Sequence, residues 1–194
     1  LVGELTTSPM SDKKFFVEGA RVAHEGAMVT TEILTVRTPR GDLVERQVVR
    51  HPGAVAVVAI HDGCVVFVEQ YRAAVDDNLI EIPAGKTDIP GEPLETAARR
   101  ELIEEVGLDP QNLVLLGDFL TAAGFCDEVL TIFAANDCVD VGRQVDGVEE
   151  EYSEIVRVPL TEIDDWLVGG KLRDVKSLVG LFWARDLGLL TPAP

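Results

Sequence analysis

Residues 85–108 read GKTDIPGEPLETAARRELIEEVGL, and this stretch decides the fold. Its second half places Glu101, Glu104 and Glu105 on one edge of a predicted helix, just after a glycine-containing loop. Residues three and four apart on an α-helix lie one above another, so the three carboxylates point the same way. Carboxylates packed that closely raise each other's pKa unless a cation sits between them. A donor set made wholly of oxygen suits a hard divalent ion, Mg2+ or Mn2+. Arg100 stands beside the cluster, placed to hold one carboxylate. The competing reading is a solvated acidic helix face. The helix itself is legible: Pro93 suits the first turn, with Glu92 at the positive end. Leu94, Ala98, Leu102 and Val106 recur every four residues as a buried stripe, and Gly107 is the expected stop. The acidic edge then lies beside the core stripe, at the lip of a cleft.

The whole string resembles the Nudix box of nucleoside diphosphate-X hydrolases. That box runs Gly, five residues, Glu, seven residues, Arg-Glu, an aliphatic, any residue, Glu-Glu, any residue, Gly, an aliphatic. From Glu92 through Arg100-Glu101, Glu104-Glu105 and Gly107-Leu108 the match is complete. Gly85 is followed by six residues before Glu92, one more than usual, in a loop where length is tolerated. Members of the ADP-ribose type share the extra residue. The resemblance implies an α/β fold, a Nudix-type α/β/α sandwich with a mixed sheet. It implies Mg2+, with Mn2+ as the other candidate, held by Glu101, Glu105, Glu104 and the carbonyl of Ala84. Gly85 would let the backbone approach metal and substrate without a Cβ in the way.

Composition fits a small-molecule enzyme. The chain of 194 residues is long enough for one domain with a real core plus added elements. A net charge of -17 argues against nucleic-acid binding, which needs a basic footprint. It does not argue against a phosphorylated small molecule whose charge is offset by metal and a few arginines. Cys64, Cys126 and Cys138 show no metal spacing and read as reduced thiols of a cytoplasmic protein, Cys64 and Cys138 in the core. No run approaches a membrane span, and no signal peptide is visible. Residues 1–12 read as a flexible leader, with Met10 a candidate start.

Strands are expected at 15–23, 28–38, 43–50, 54–60, 64–70, 79–82, 113–120, 129–135 and 154–159. Pro39-Arg40-Gly41-Asp42 and His61-Asp62-Gly63 serve as turns. Two helices are expected to close the chain. One starts at Thr161 with Asp164 completing a variant capping box, and the other runs from about Asp174 to Leu187. Trp166, Phe182 and Trp183 read as packing residues rather than a base-stacking platform. The organisation expected is a β extension over 13–52 followed by the catalytic domain over 53–194.

Features outside the box resemble ADP-ribose pyrophosphatases. In that group an N-terminal β extension packs between subunits, which implies a homodimer whose partner completes the substrate site. Val66 to Arg72, VFVEQYR, resembles the segment whose arginine reaches the substrate diphosphate. Arg72 becomes a bidentate phosphate ligand by that resemblance, and Arg50 a weaker candidate. Thr121 to Glu128, TAAGFCDE, resembles the substrate loop and brings in Gly124, Phe125 and Glu128. Ala123 stands where that group usually carries proline, so the loop is less rigid and its choice of sugar open. The acidic run 149–154 resembles the loop that supplies a catalytic glutamate, with Glu151 favoured before Glu149 and Glu150; Glu104 shares the catalytic role. The implied reaction is Mg2+-dependent hydrolysis of ADP-ribose to AMP and ribose 5-phosphate. The alternatives are a hydrolase of another nucleoside diphosphate sugar or NADH, and a non-catalytic nucleotide-sugar sensor.

Overall fold

A computed structural model describes residues 14–145 and 151–191. The proposed leader, and Glu149 and Glu150, lie outside them. The chain divides into two compact units, residues 1–51 with 122–127, and residues 52–121 with 128–194.

The first unit is a three-stranded antiparallel sheet in the order β1-β2-β3, formed by Phe16–Glu25, Thr30–Arg37 and Leu43–Arg50. Segment 122–127 adds to β3: Cys126 bridges Val49 in parallel, and the Val49 amide donates to the Phe125 carbonyl at 2.7 Å. β1 is exposed along its whole length, Phe16, Val17 and Val22 included.

The second unit is built on seven strands: β4 (Ala54–His61), β5 (Cys64–Arg72), β6 (Asp77–Glu81), β7 (Ala84–Lys86), β8 (Leu108–Leu120), β9 (Val129–Asp140) and β10 (Glu154–Pro159). Their order is β10-β5-β4-β9-β8, with β6 on β5 and β7 on β4. β4 and β9 run parallel and the other pairs antiparallel, so the sheet is mixed. Alternation assigns the faces. Val55, Val57, Val66 and Val68 pack on α1 (Leu94–Val106) through Ala97, Ala98, Leu102 and Val106. Ala56, Val58, Val65 and Phe67 face α2 (Ile163–Val168) and α3 (Val175–Asp186), meeting Ile163, Leu167, Leu181 and Ala184. This is the expected α/β/α sandwich with an N-terminal β extension. Asp62 and Gly63 both take positive φ, 49° and 70°, the conformation a two-residue hairpin turn requires.

Several local expectations are corrected. Leu94 is 43 % exposed and leaves the stripe, which begins instead at Ala97 and Ala98. Pro93 sits at the N-cap, one position before the helix, where its carbonyl accepts from Thr96 and Ala97. Thr161 does not cap a helix: it lies in a 3-10 turn, Leu160–Glu162, and α2 starts at Ile163 without a side-chain cap. Cys64 is half-buried rather than core, whereas Trp166 stacks on Phe67 and Trp183 meets Phe119 edge-on as packing residues, with Phe182 part-exposed. β8 starts at Leu108, straight after the helix stop, and tolerates Pro110 because it is the last strand of the sheet order. β7 was not expected.

Candidate active site

β7 and α1 position the site. Ala84, Gly85 and Lys86 pair with Ala56, Val55 and Ala54 of the central strand β4, and Val55 is fully buried. The register therefore fixes the Gly85 backbone against the face that carries α1. A Cβ on Gly85 would lie 1.8 Å from Cδ of Glu101 and 1.9 Å from its Oε2, so the carboxylate occupies the space that any side chain would take. Here the glycine serves close approach. Glu105, one turn on, accepts the Ala84 amide at 2.9 Å. Glu101 and Glu105 are 7 % and 4 % exposed, far less than a solvated acidic face would be.

Arg100 organises the remaining carboxylates. Its Nε and Nη2 donate to the two oxygens of Glu92 at 3.2 and 3.1 Å, and its Nη1 donates to Glu101 at 2.7 Å and Glu104 at 3.0 Å. The Glu92 bond is the main influence raising the Arg100 pKa above its ordinary value, with Glu101 and Glu104 adding to it. Glu92, two residues before the start of α1, thus also serves as the partner of Arg100. Gly107 closes α1 at φ 71°, and a Cβ there would meet the Arg143 amide nitrogen at 2.6 Å. The turn that ends the box therefore packs tightly on Gly142-Arg143, at the start of the segment that leads to the acidic run.

Among the described residues no three His, Cys, Asp or Glu side chains already converge as a metal-holding group. The donor chemistry nevertheless fits a hard divalent cation: two buried carboxylates one helical turn apart, a third beside them, and a strand backbone brought close by a missing Cβ.

The other expected residues are distributed as follows. Arg72 ends β5, and its guanidinium makes a bidentate pair with Glu81, Nε to Oε1 at 2.9 Å and Nη2 to Oε2 at 2.5 Å. It is thus already engaged by a carboxylate. Glu128 accepts from the Thr121 hydroxyl at 2.5 Å. Glu151 is exposed. In the first unit Arg50 pairs with Glu32 at 2.8 Å and Asp127 at 2.9 Å, and Asp127 also takes the His51 amide at 2.9 Å. Gly124 and Phe125 are exposed there.

Sequence reasoning missed Glu81, which is 2 % exposed. Besides Arg72, its carboxylate accepts from Lys176 Nζ of α3. Burial pushes the Glu81 carboxyl up, but the two cations outweigh it and its pKa ends below the ordinary value. The available signal was a lone acid at an inward position of a strand that runs into Pro83-Ala84-Gly85.

A strand glycine abutting buried helix carboxylates, on a mixed sheet between helices, sets carboxylate oxygens close against a strand backbone. Residues 49–177 match the NUDIX domain, and the chain belongs to the Nudix family. It is 35 % identical over 188 residues to the ADP-ribose pyrophosphatase of Mycobacterium tuberculosis, covering 95 % of this chain and 91 % of that protein. It is 33 % identical over 157 residues to the methanol dehydrogenase activator of Bacillus methanolicus, covering 80 % and 84 %. A solved structure, an ADP compounds hydrolase, superposes with a TM-score of 0.76 at 25 % identity, over 90 % of this chain and 94 % of that one. The protein is a Nudix pyrophosphatase, a hydrolase of nucleoside diphosphate compounds.

Proposed function

We propose that the enzyme hydrolyses ADP-ribose to AMP and ribose 5-phosphate with Mg2+ as its metal, Mn2+ being the nearest substitute. The observation that carries the reading is the Gly85–Glu101 contact: a backbone pinned by β4 leaves no room for a Cβ against a buried carboxylate. The relationship to the M. tuberculosis ADP-ribose pyrophosphatase, which spans nearly the whole chain, supports ADP-ribose as the substrate.

Glu101, Glu105 and Glu104, with the Ala84 carbonyl, would hold the metal. When bound, such an ion neutralises the diphosphate and lowers the pKa of a coordinated water. Arg72 presents the N–H groups that Glu81 leaves over to the diphosphate, and Arg50, Gly124, Phe125 and Glu128 contact the rest of the substrate. A glutamate of residues 149–151, Glu151 first, accepts the proton of the attacking water, a contribution of about 10^2–10^4 in rate. Water adds across the P–O–P bond, and AMP and ribose 5-phosphate leave. The free state of Cys64, Cys126 and Cys138 speaks for a cytoplasmic location. Among the described residues, no helix is long and apolar enough to cross a membrane.

The test is a panel of ADP-ribose, other nucleoside diphosphate sugars and NADH with Mg2+, products being separated by chromatography. ADP-ribose should give the highest kcat/KM, and a higher value for any other compound would overturn this choice of substrate. Arg72→Ala should mainly raise KM, because the arginine grips ground state and transition state alike, whereas Glu151→Gln should lower kcat and leave KM nearly unchanged. If Glu151→Gln is silent, Glu149 and Glu150 are substituted in turn; three silent variants remove the loop from the mechanism.

The same reading makes the enzyme a homodimer through the extension over 13–52, ahead of a catalytic domain over 53–194. The exposed apolar residues of β1, Phe16, Val17 and Val22, support it, since a solvent-facing strand has no need of them. Sedimentation should give twice the chain mass of 21.0 kDa. A fully active monomer at nanomolar concentration would refute the shared site.

A further inference from the structure

The C-terminal helix reaches the same strand end as Arg72 through a chain of polar contacts. Lys176 Nζ donates to Glu81 and lies 3.2 Å from Asp174 Oδ2. Asp174 caps α3 by accepting from the Ser177 amide at 2.9 Å and the Ser177 hydroxyl at 2.6 Å. The Ser177 oxygen in turn accepts the Ile82 amide at 2.9 Å, next to Glu81. One step outward, Arg173 pairs with Asp77 at 2.8 Å at the other end of β6. Most of these contacts are structural ties. The Lys176–Glu81 contact differs, because Glu81 already has a complete bidentate partner in Arg72.

We infer that Lys176, acting through Glu81, is a positioning residue for Arg72. Bidentate pairing through Nε and Nη2 fixes the guanidinium plane and leaves Nη1 and the outer N–H of Nη2 to face an anion. A free arginine at a strand end would have to give up much of its side-chain entropy on binding; held by Glu81 it has already done so. A lone buried carboxylate beside the arginine would also cancel its charge and repel a diphosphate. Lys176 removes that objection: with it Arg72, Lys176, Glu81 and Asp174 sum to no net charge, whereas without it the three remaining groups would carry one negative charge. The Glu81 hydrogen bond is the main influence raising the Arg72 pKa above its ordinary value, with Glu105 and Asp174 adding to it. The ammonium thereby offsets the carboxylate that orients Arg72, so that no net negative charge stands beside the arginine.

The inference rests on Arg72 as the diphosphate ligand, and its test is kept separate from the choice of substrate. Assays use whichever nucleoside diphosphate compound the wild type hydrolyses fastest, so failure on ADP-ribose alone counts against the proposed function and not against this pair. Lys176→Met keeps the stem and removes the charge. It should raise KM about tenfold, the scale of one lost charge-assisted contact, with kcat within about threefold. Lys176→Arg should restore most of the loss. Ser177→Ala, one residue away, breaks the tie to Ile82 and should lower Tm while leaving KM alone. An unchanged KM in Lys176→Met overturns the inference. So does a lowered Tm with KM unmoved, matching Ser177→Ala, since that is the mark of a structural tie. If Lys176→Met does not fold, Lys176→Gln, which keeps a polar head toward Glu81 and Asp174 but removes the charge, tests the same point. A raised KM supports the pair, and a wild-type KM overturns it.

Discussion

Glu105→Gln is expected to lower kcat about 10^3-fold or more under saturating Mg2+, the scale of several kcal/mol of lost charge stabilisation. The fold should survive for a structural reason. Glutamine keeps an acceptor oxygen in the place of the one that takes the Ala84 amide at 2.9 Å, so the tie between α1 and β7 persists. The substitution also removes one of two nearly buried carboxylates spaced one turn apart, at 7 % and 4 % exposure. Without metal that should relieve repulsion, so Tm in EDTA should equal or exceed the wild-type value. Added Mg2+ should raise the wild-type Tm by mass action and raise that of the variant less. Near wild-type turnover in Glu105→Gln would sink the assignment of Glu105 as a metal ligand. An equal Mg2+-dependent rise in Tm would do the same, independently of any substrate.

The sequence displayed the parts whose signal is periodic or terminal. The four-residue spacing of Ala98, Leu102 and Val106 located α1, and Gly107 ended it at φ 71° because a left-handed residue there is cheapest as glycine. Alternating valines located β4 and β5, and Asp62-Gly63 located their turn. Three kinds of feature were not legible. β7 has three residues, too few to show a period, and exists because β4 offers Ala54 to Ala56 as a pairing edge. Leu94 looked like part of the stripe because spacing alone does not report where the sheet ends; the first turn of α1 projects past it. The Glu81–Lys176 contact joins residues 95 apart in sequence, and nothing local marks either as half of a pair. The expected diphosphate ligand, Arg72, was legible as an arginine at a strand end, but not as one already held by a carboxylate. The box supplied the carboxylates of the site. The box also supplied Arg100, the counter-charge across Glu92, Glu101 and Glu104, whereas Lys176 comes to Glu81 only through the tertiary fold.

Gly85→Ala should be the most damaging single methyl in the molecule for activity, at modest cost in stability. Gly85 has no left-handed φ, so alanine meets no backbone penalty there. The whole effect must come from the new Cβ, built 1.8, 1.9 and 2.2 Å from the three carboxyl atoms of Glu101. The backbone has little freedom to retreat, because Gly85 pairs with the fully buried Val55 in the middle of the sheet. The carboxylate must move instead, swinging away from β7 and disturbing its 2.7 Å bond from Arg100. Overpacking of this kind costs about 1–3 kcal/mol, so the protein should remain folded with Tm lower by several degrees. Activity should fall further than stability, since displacing one ligand by about 1 Å costs roughly 10^2-fold in rate. Shortening the displaced side chain provides the internal check: Gly85→Ala/Glu101→Asp should recover Tm, because the clash is gone, yet stay slow, because the carboxylate no longer reaches the site. Wild-type kcat/KM in Gly85→Ala would show that Glu101 works from a position other than the one it occupies against β7.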